Sequence, residues 1–140
     1  MEQIFQVKKK LEKQKQLELG QAMQQLNESR QYLEEINTHL QESNIQFQAN
    51  IAIGHVDQYK IKKAHERIRY YHEALLEQHR VVHEAQVKVE EAKEALKIAL
   101  QDRKIFETLK EKAFEAYIEN EKVEEAKRLD EIVSYKYRNS

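Results

Sequence analysis

After Gly54 the chain runs 86 residues without another glycine or any proline, and before it only Gly20 interrupts 53 residues. Average usage would place roughly seven prolines and ten glycines in a chain this long. Sheets and doubly wound folds need a turn-forming residue every ten or so positions, so a sequence this sparsely punctuated is confined to long helices, which excludes most enzyme architectures. Charged residues make up 35% and apolar ones 40%, with no Trp, a balance that suits solvated helices better than a thick core. The 140 residues fit one modest domain, and 24 basic against 25 acidic side chains leave the net charge near zero.

Apolar residues repeat every seven positions. In the second half Ile61, Ile68, Leu75, Val82, Val89 and Leu96 form one row, with Ala64, Tyr71, Gln78, Ala85, Ala92 and Ala99 three residues behind each, the alternation of three and four that a coiled-coil seam requires. The first half has its own row in Leu19, Leu26, Leu33, Leu40 and Phe47, interleaved with Ala22, Ser29, Ile36 and Ser43. Ile4, Val7 and Leu11 share that face, but reaching Leu19 takes two steps of four through Lys15, a stutter that relaxes the supercoil. Phase is lost over residues 49–56, where Asn50 and Gly54 supply turn chemistry and Asp57 caps the next helix. The expectation is an all-α fold: one domain over 1–140, a long antiparallel two-helix coiled-coil hairpin with helix 1 about 3–48, a bend about 49–56 and helix 2 about 57–137. A parallel dimer of one continuous helix is the competing arrangement.

Folding at about residue 52 sets Leu40 beside Ala64, Leu33 beside Tyr71, Leu26 beside Gln78 and Leu19 beside Ala85, large against small or amphipathic. The first helix then ends opposite Leu100, and the second helix overhangs it by nearly forty residues, roughly 55 Å at 1.5 Å per residue. That overhang carries Phe106, Leu109, Phe114, Tyr117, Ile118, Leu129 and Val133 with no intramolecular partner. Lone helices are marginal in water, so a partner or a second copy is expected to cover it.

Sites of chemistry are expected to be absent. His65, His72 and His79 recur every seven residues and His79 and His83 lie one turn apart, yet no third ligand accompanies them and His-Glu-x-x-His is missing, so no metal and no cofactor is expected. These rings belong at the seam's edge. Adjacent carboxylates at Glu34-Glu35, Glu90-Glu91 and Glu124-Glu125 diverge by about 100° on a helix and have no pocket to tune them. Glu84 with Lys88, and Glu124 with Arg128, have helix ion-pair spacing. Lys60, Lys62, Lys63, Arg67 and Arg69 outnumber Asp57 and Glu66 near the bend. That footprint is too narrow for nucleic acid and better fitted to an acidic protein. Gly20 reads as a tolerated defect or a point of close approach. No cysteine is present, which fits a reducing compartment, and neither a signal peptide nor a membrane span is expected.

Several particulars are more specific than a generic coiled coil. The chain opens on Ile4-Phe5 and a Lys- and Glu-rich helix, bends near Gly54 ahead of Tyr59, and later reads Arg103-Lys104-Ile105-Phe106-Glu107-Thr108-Leu109-Lys110-Glu111-Lys112. Tyr117, Glu121, Lys127 and Asp130-Glu131-Ile132 follow. On these residues the chain resembles the flagellar FliJ family, small cytosolic two-helix coiled coils of the type III flagellar export apparatus. The resemblance implies a non-enzymatic stalk, similar to the central shaft of rotary ATPases, that serves protein export, flagellum assembly, motility and chemotaxis. Its helix ends would enter the hexameric export ATPase, FliI in that family, and its bend would face the membrane export gate FlhA. Family members are also described as escorts of export chaperones.

The same resemblance assigns Ile4, Phe5, Phe106, Leu109, Lys110, Tyr117, Glu121 and Asp130 to the ATPase, and Tyr59, Tyr70 and Tyr71 to the gate. It places the protein in the cytoplasm, peripheral at the inner face of the membrane and not inserted in it, with neither nucleic acid nor small-molecule substrate. The equivalent stalk of a virulence secretion system and a homodimeric scaffold are the alternatives.

Overall fold

The computed structural model describes residues 2–52, 54 and 57–138. All of them except Gly54 and Asp57 lie in two helices, α1 (Glu2–Ala52) and α2 (Gln58–Arg138), and the described residues contain no strand. The fold is an all-α helical hairpin.

Between the helices, Gly54 adopts a φ of +78° and donates its N–H to the Ile51 carbonyl at 3.1 Å. This left-handed conformation is one that glycine reaches without a Cβ penalty, and it closes the end of α1. Asp57 then opens α2: its carboxylate accepts the Tyr59 N–H at 3.0 Å, and its carbonyl accepts the Ile61 N–H at 3.0 Å. Asn50, expected in the turn, is instead helical, because α1 runs on to Ala52. Ile53, His55 and Val56 of the expected bend lie outside the described residues.

The chain forms two compact units, one of Lys15–Leu96 and one joining the chain before Lys15 to the chain from Lys97 onward. Lys15–Leu96 contains an apolar seam. Leu26, Ile36, Leu40 and Val89 are buried, as are Ser43 and Gln78. The Gln78 side chain donates to the Ser29 carbonyl at 2.9 Å, and Ser43 turns its hydroxyl back to the His39 carbonyl at 2.8 Å, so neither buried polar group is left without a partner. Toward the bend, His39 stacks on Tyr71 with ring centroids 5.6 Å apart, and Phe47 meets His65 at 4.7 Å. Tyr71 was expected beside Leu33 and Gln78 beside Leu26. Both contacts fall several residues later in α1, because the reversal is centred near Gly54 and not at residue 52.

In the other unit the seam is charged. Among its described residues only Ala99 is buried. Arg103 bridges Glu12 at 2.8 Å and Glu107 at 2.6 Å, Lys8 lies 3.8 Å from Asp102, and Lys110 pairs with Glu2. The first helix therefore reaches Lys110, about ten residues beyond the expected Leu100.

The expected stutter is also absent. Covered positions of α1 step back by alternating fours and threes from Phe47 through Leu19 to Lys15, Glu12, Lys8 and Phe5, with Leu11 half-buried beside Glu12, while Ile4 and Val7 are exposed. The period of seven persists, and its occupants turn polar. In α2 the same alternation runs from Ile61 to Arg103, Phe106 and Lys110. From Glu111 to Arg138 every residue is exposed.

Candidate partner-binding surfaces

Three groups of side chains come out of this geometry. The first is a latch at the N-terminal end of α1. Phe5 is half-buried, with the Lys9 ammonium 5.7 Å and the Lys110 ammonium 4.9 Å from its ring centre, and Phe106 is half-buried with Lys8 over its face at 5.3 Å. A cation over an aromatic face is attracted by the ring quadrupole, so Lys8 and Lys110 each serve a ring and a carboxylate at once. The Lys110 hydrogen bond holds the Glu2 carboxyl below its ordinary range, and Glu12, followed by Glu107, raises the Arg103 guanidinium further.

Of the residues assigned from the resemblance to the ATPase, this unit brings Phe5, Phe106 and Lys110 together and leaves Ile4 exposed beside them. Phe106 and Lys110 were expected on the uncovered overhang. Instead they form the last covered turns of α2, because α1 extends far enough to meet them.

The second group is the bare part of α2. Leu109 marks its edge, and Tyr117, Glu121 and Asp130 all face solvent. Phe114, Ile118, Val123, Leu129, Ile132 and Val133 are exposed there as well. An isolated chain gains nothing from displaying so many large apolar side chains on one helix, and contiguous patches of this kind mark binding surfaces.

The third group lies next to the bend. Phe47, Tyr59, Lys60, Lys63 and Arg67 line a groove of about 250 Å³. Lys63 sits 5.6 Å from the Tyr59 ring centre, and Tyr70, two-thirds exposed, meets Tyr71 edge-on at 5.5 Å. Tyr71 itself is half-buried against His39, which leaves Tyr59 and Tyr70 as the accessible rings.

Residues 1–140, the entire chain, match the family model described as flagellar FliJ protein. The chain belongs to the FliJ family. Comparison with curated proteins and with solved structures gives no match. Membership makes this FliJ-family chain a component of the flagellar protein export apparatus, in a family whose role there is non-catalytic. No helix among the described residues is long and apolar enough to cross a membrane, and no group of acidic, His or Cys side chains among them could hold a metal ion.

Sequence reasoning missed Glu2, Lys8, Glu12, Asp102 and Arg103 as a set. The signal that could have found them is the seven-residue period itself. Extending the Leu19 row backward lands on Glu12 and Phe5, and extending the Leu96 row forward lands on Arg103 and Lys110, opposite charges at facing positions. The expected pair of Glu84 with Lys88 gives way to Glu84 with Arg80, which also binds Glu77 at 3.1 Å. Among the described residues, no side chain and no backbone of the facing helix comes within 4 Å of where a Cβ on Gly20 would stand, so the close approach is not seen within this chain.

Proposed function

We propose that this protein is the stalk and adaptor of the export apparatus. The bare part of α2, with the latched end of α1, docks in the hexameric export ATPase, and the surface beside the bend faces the export gate and receives export chaperones. It works in the cytoplasm, peripheral at the membrane's inner face. It contributes binding surface and mechanical coupling, and the nucleotide chemistry belongs to the ring.

The observation that carries this reading is the exposure of every residue from Glu111 to Arg138, apolar ones included. A helix of this length, about 42 Å at 1.5 Å per residue, has the reach of a shaft and no intramolecular cover. Leu109 and Tyr117 are two of the proposed ATPase-facing residues that make no latch contact. Leu109→Asp with Tyr117→Asp should weaken association with the export ATPase by about tenfold or more, with helicity by circular dichroism unchanged. Undiminished association would count against the proposal. Phe106→Ala is a poorer test, since that ring is part of the hairpin.

A further inference from the structure

We infer that the groove beside the bend binds an acidic helix of a partner protein, which presents carboxylates to Lys60, Lys63 and Arg67 and lays one large apolar side chain between Phe47 and Tyr59. This rests on the reading of that surface as the gate-facing one, and adds the chemistry of the segment received there.

The groove is walled by Phe47 of α1 and Tyr59 of α2, and its only charged lining residues are the three cations. Lys63 has one acid nearby, Glu66 at 3.9 Å, in a pair more than half exposed on both sides. Lys60 and Arg67 meet no carboxylate among the described residues. Other arginines of this stretch of α2 are satisfied within their own helix, Arg69 by Glu73 and Arg80 by Glu77 and Glu84. Arg67 cannot be, since the positions three and four away hold Lys63, Ala64, Tyr70 and Tyr71. Asp57, three residues before Lys60, turns its carboxylate to the Tyr59 N–H instead.

The facing helix offers no help. Between Glu42 and Glu66 the sequence holds a single acidic residue, Asp57, and Glu42 itself lies a turn beyond the groove, 3.8 Å from His39. Past the cap, α2 has no acid in its first turn, where Lys60 stands, and α1 has no base in its last. Helix dipoles favour the reverse at both ends. The hairpin thus gathers positive charge where its own helices gain nothing from it, and leaves that charge open to an anion.

The shape of the site selects the kind of anion. Positions 60, 63 and 67 share one face of α2 and span about 10 Å, which Asp or Glu at i, i+3 or i+4, and i+7 of a helix lying along the groove would match. A groove with aromatic walls receives a helix by an apolar anchor, and Gln46 and Asn50 on the α1 side supply amide donors. Nucleic acid held through its phosphates calls for a wider basic footprint, and a flat bilayer leaves a cleft unfilled.

A fluorescein-labelled synthetic helix with Glu at i, i+4 and i+7 around one Phe, titrated with the full chain, should bind saturably and more weakly as salt rises. Lys60→Glu with Arg67→Glu should weaken binding about tenfold or more, and Tyr59→Ala by less, with helicity by circular dichroism unchanged. The same double variant should gain affinity for the peptide carrying Lys in place of its three Glu. Arg128→Glu, which reverses a charge in the other unit, should leave binding unmoved.

No saturable binding, equal affinity for a peptide with Gln in place of Glu, or a loss from Arg128→Glu as large as that from the double variant would each overturn the inference. So would binding to phosphatidylglycerol vesicles that is tighter than to the peptide and lost in the double variant, which would make the groove a membrane contact. Association of the export gate with the wild-type chain is a separate readout: its absence would remove the gate from the proposed function, while the groove's preference for an acidic helix would still be decided by the peptides.

Discussion

Lys15–Leu96 and the unit at the N-terminal end of α1 follow the same seven-residue period with opposite chemistry. In the first, covered positions hold Leu26, Ile36, Leu40 and Val89, and burial removes apolar area from water at about 25 cal/mol per Å². In the second they hold Lys8, Glu12, Arg103 and Lys110, whose attraction is offset by partial desolvation and screened by salt. A heptad repeat therefore fixes which positions face the partner helix, while the residue types at those positions decide whether the contact is a permanent core or a reversible latch.

The widest gap between the two should come from truncating each. Leu40→Ala, at a buried apolar position, is expected to cost about 2–5 kcal/mol, read by chemical denaturation. Glu12→Ala should cost less than that and act locally, with hydrogen exchange accelerating over residues 2–14 and 97–110 and hardly at all in Lys15–Leu96. Gly20→Ala should gain up to about 1 kcal/mol, since the helix is open around it and an alanine there lowers the cost of ordering.

The smallest effect should come with acid. The Glu2 carboxyl titrates below its ordinary range in the folded chain, so its contribution is complete above the unfolded-chain value and disappears as pH falls through the lowered one. Acidification from pH 5 toward 3, in the range where free carboxylates titrate, should loosen the contact of Glu2 with Lys110. Raised salt at neutral pH should do the same. The Leu40 region should respond to neither, and hydrogen exchange distinguishes the two outcomes.

The helical class, the hairpin and the row from Leu19 to Phe47 were legible because apolar residues advertise their periodicity and missing glycine and proline advertise length. The offset of the two helices was harder to read. It depends on where the left-handed residue sits, and Asn50 and Gly54 both carry turn chemistry; only Gly54 avoids a Cβ penalty at positive φ. The latch escaped because Lys8, Glu12 and Arg103 look like solvated charges when each is read alone, and only pairing across the hairpin gives them partners. Ile4 and Val7 misled for the converse reason: apolar side chains drew the phase toward a stutter that the fold does not contain. The bare part of α2 was visible in sequence as surplus apolar surface, and its true beginning at Glu111 needed the length of α1.

The tight turn at Gly54 also sets an order of assembly. Cross-helix contacts near it span few residues, the bond of Gln78 to Ser29 spans 49 and that of Arg103 to Glu12 spans 91. Each contact made shortens the loop that the next must close, so the entropy is met in small instalments if the strands of the hairpin zip from the turn outward. The ion-paired end is then the final stretch to fasten and the first to come undone, a built-in point of release that leaves the remainder of the zipper shut.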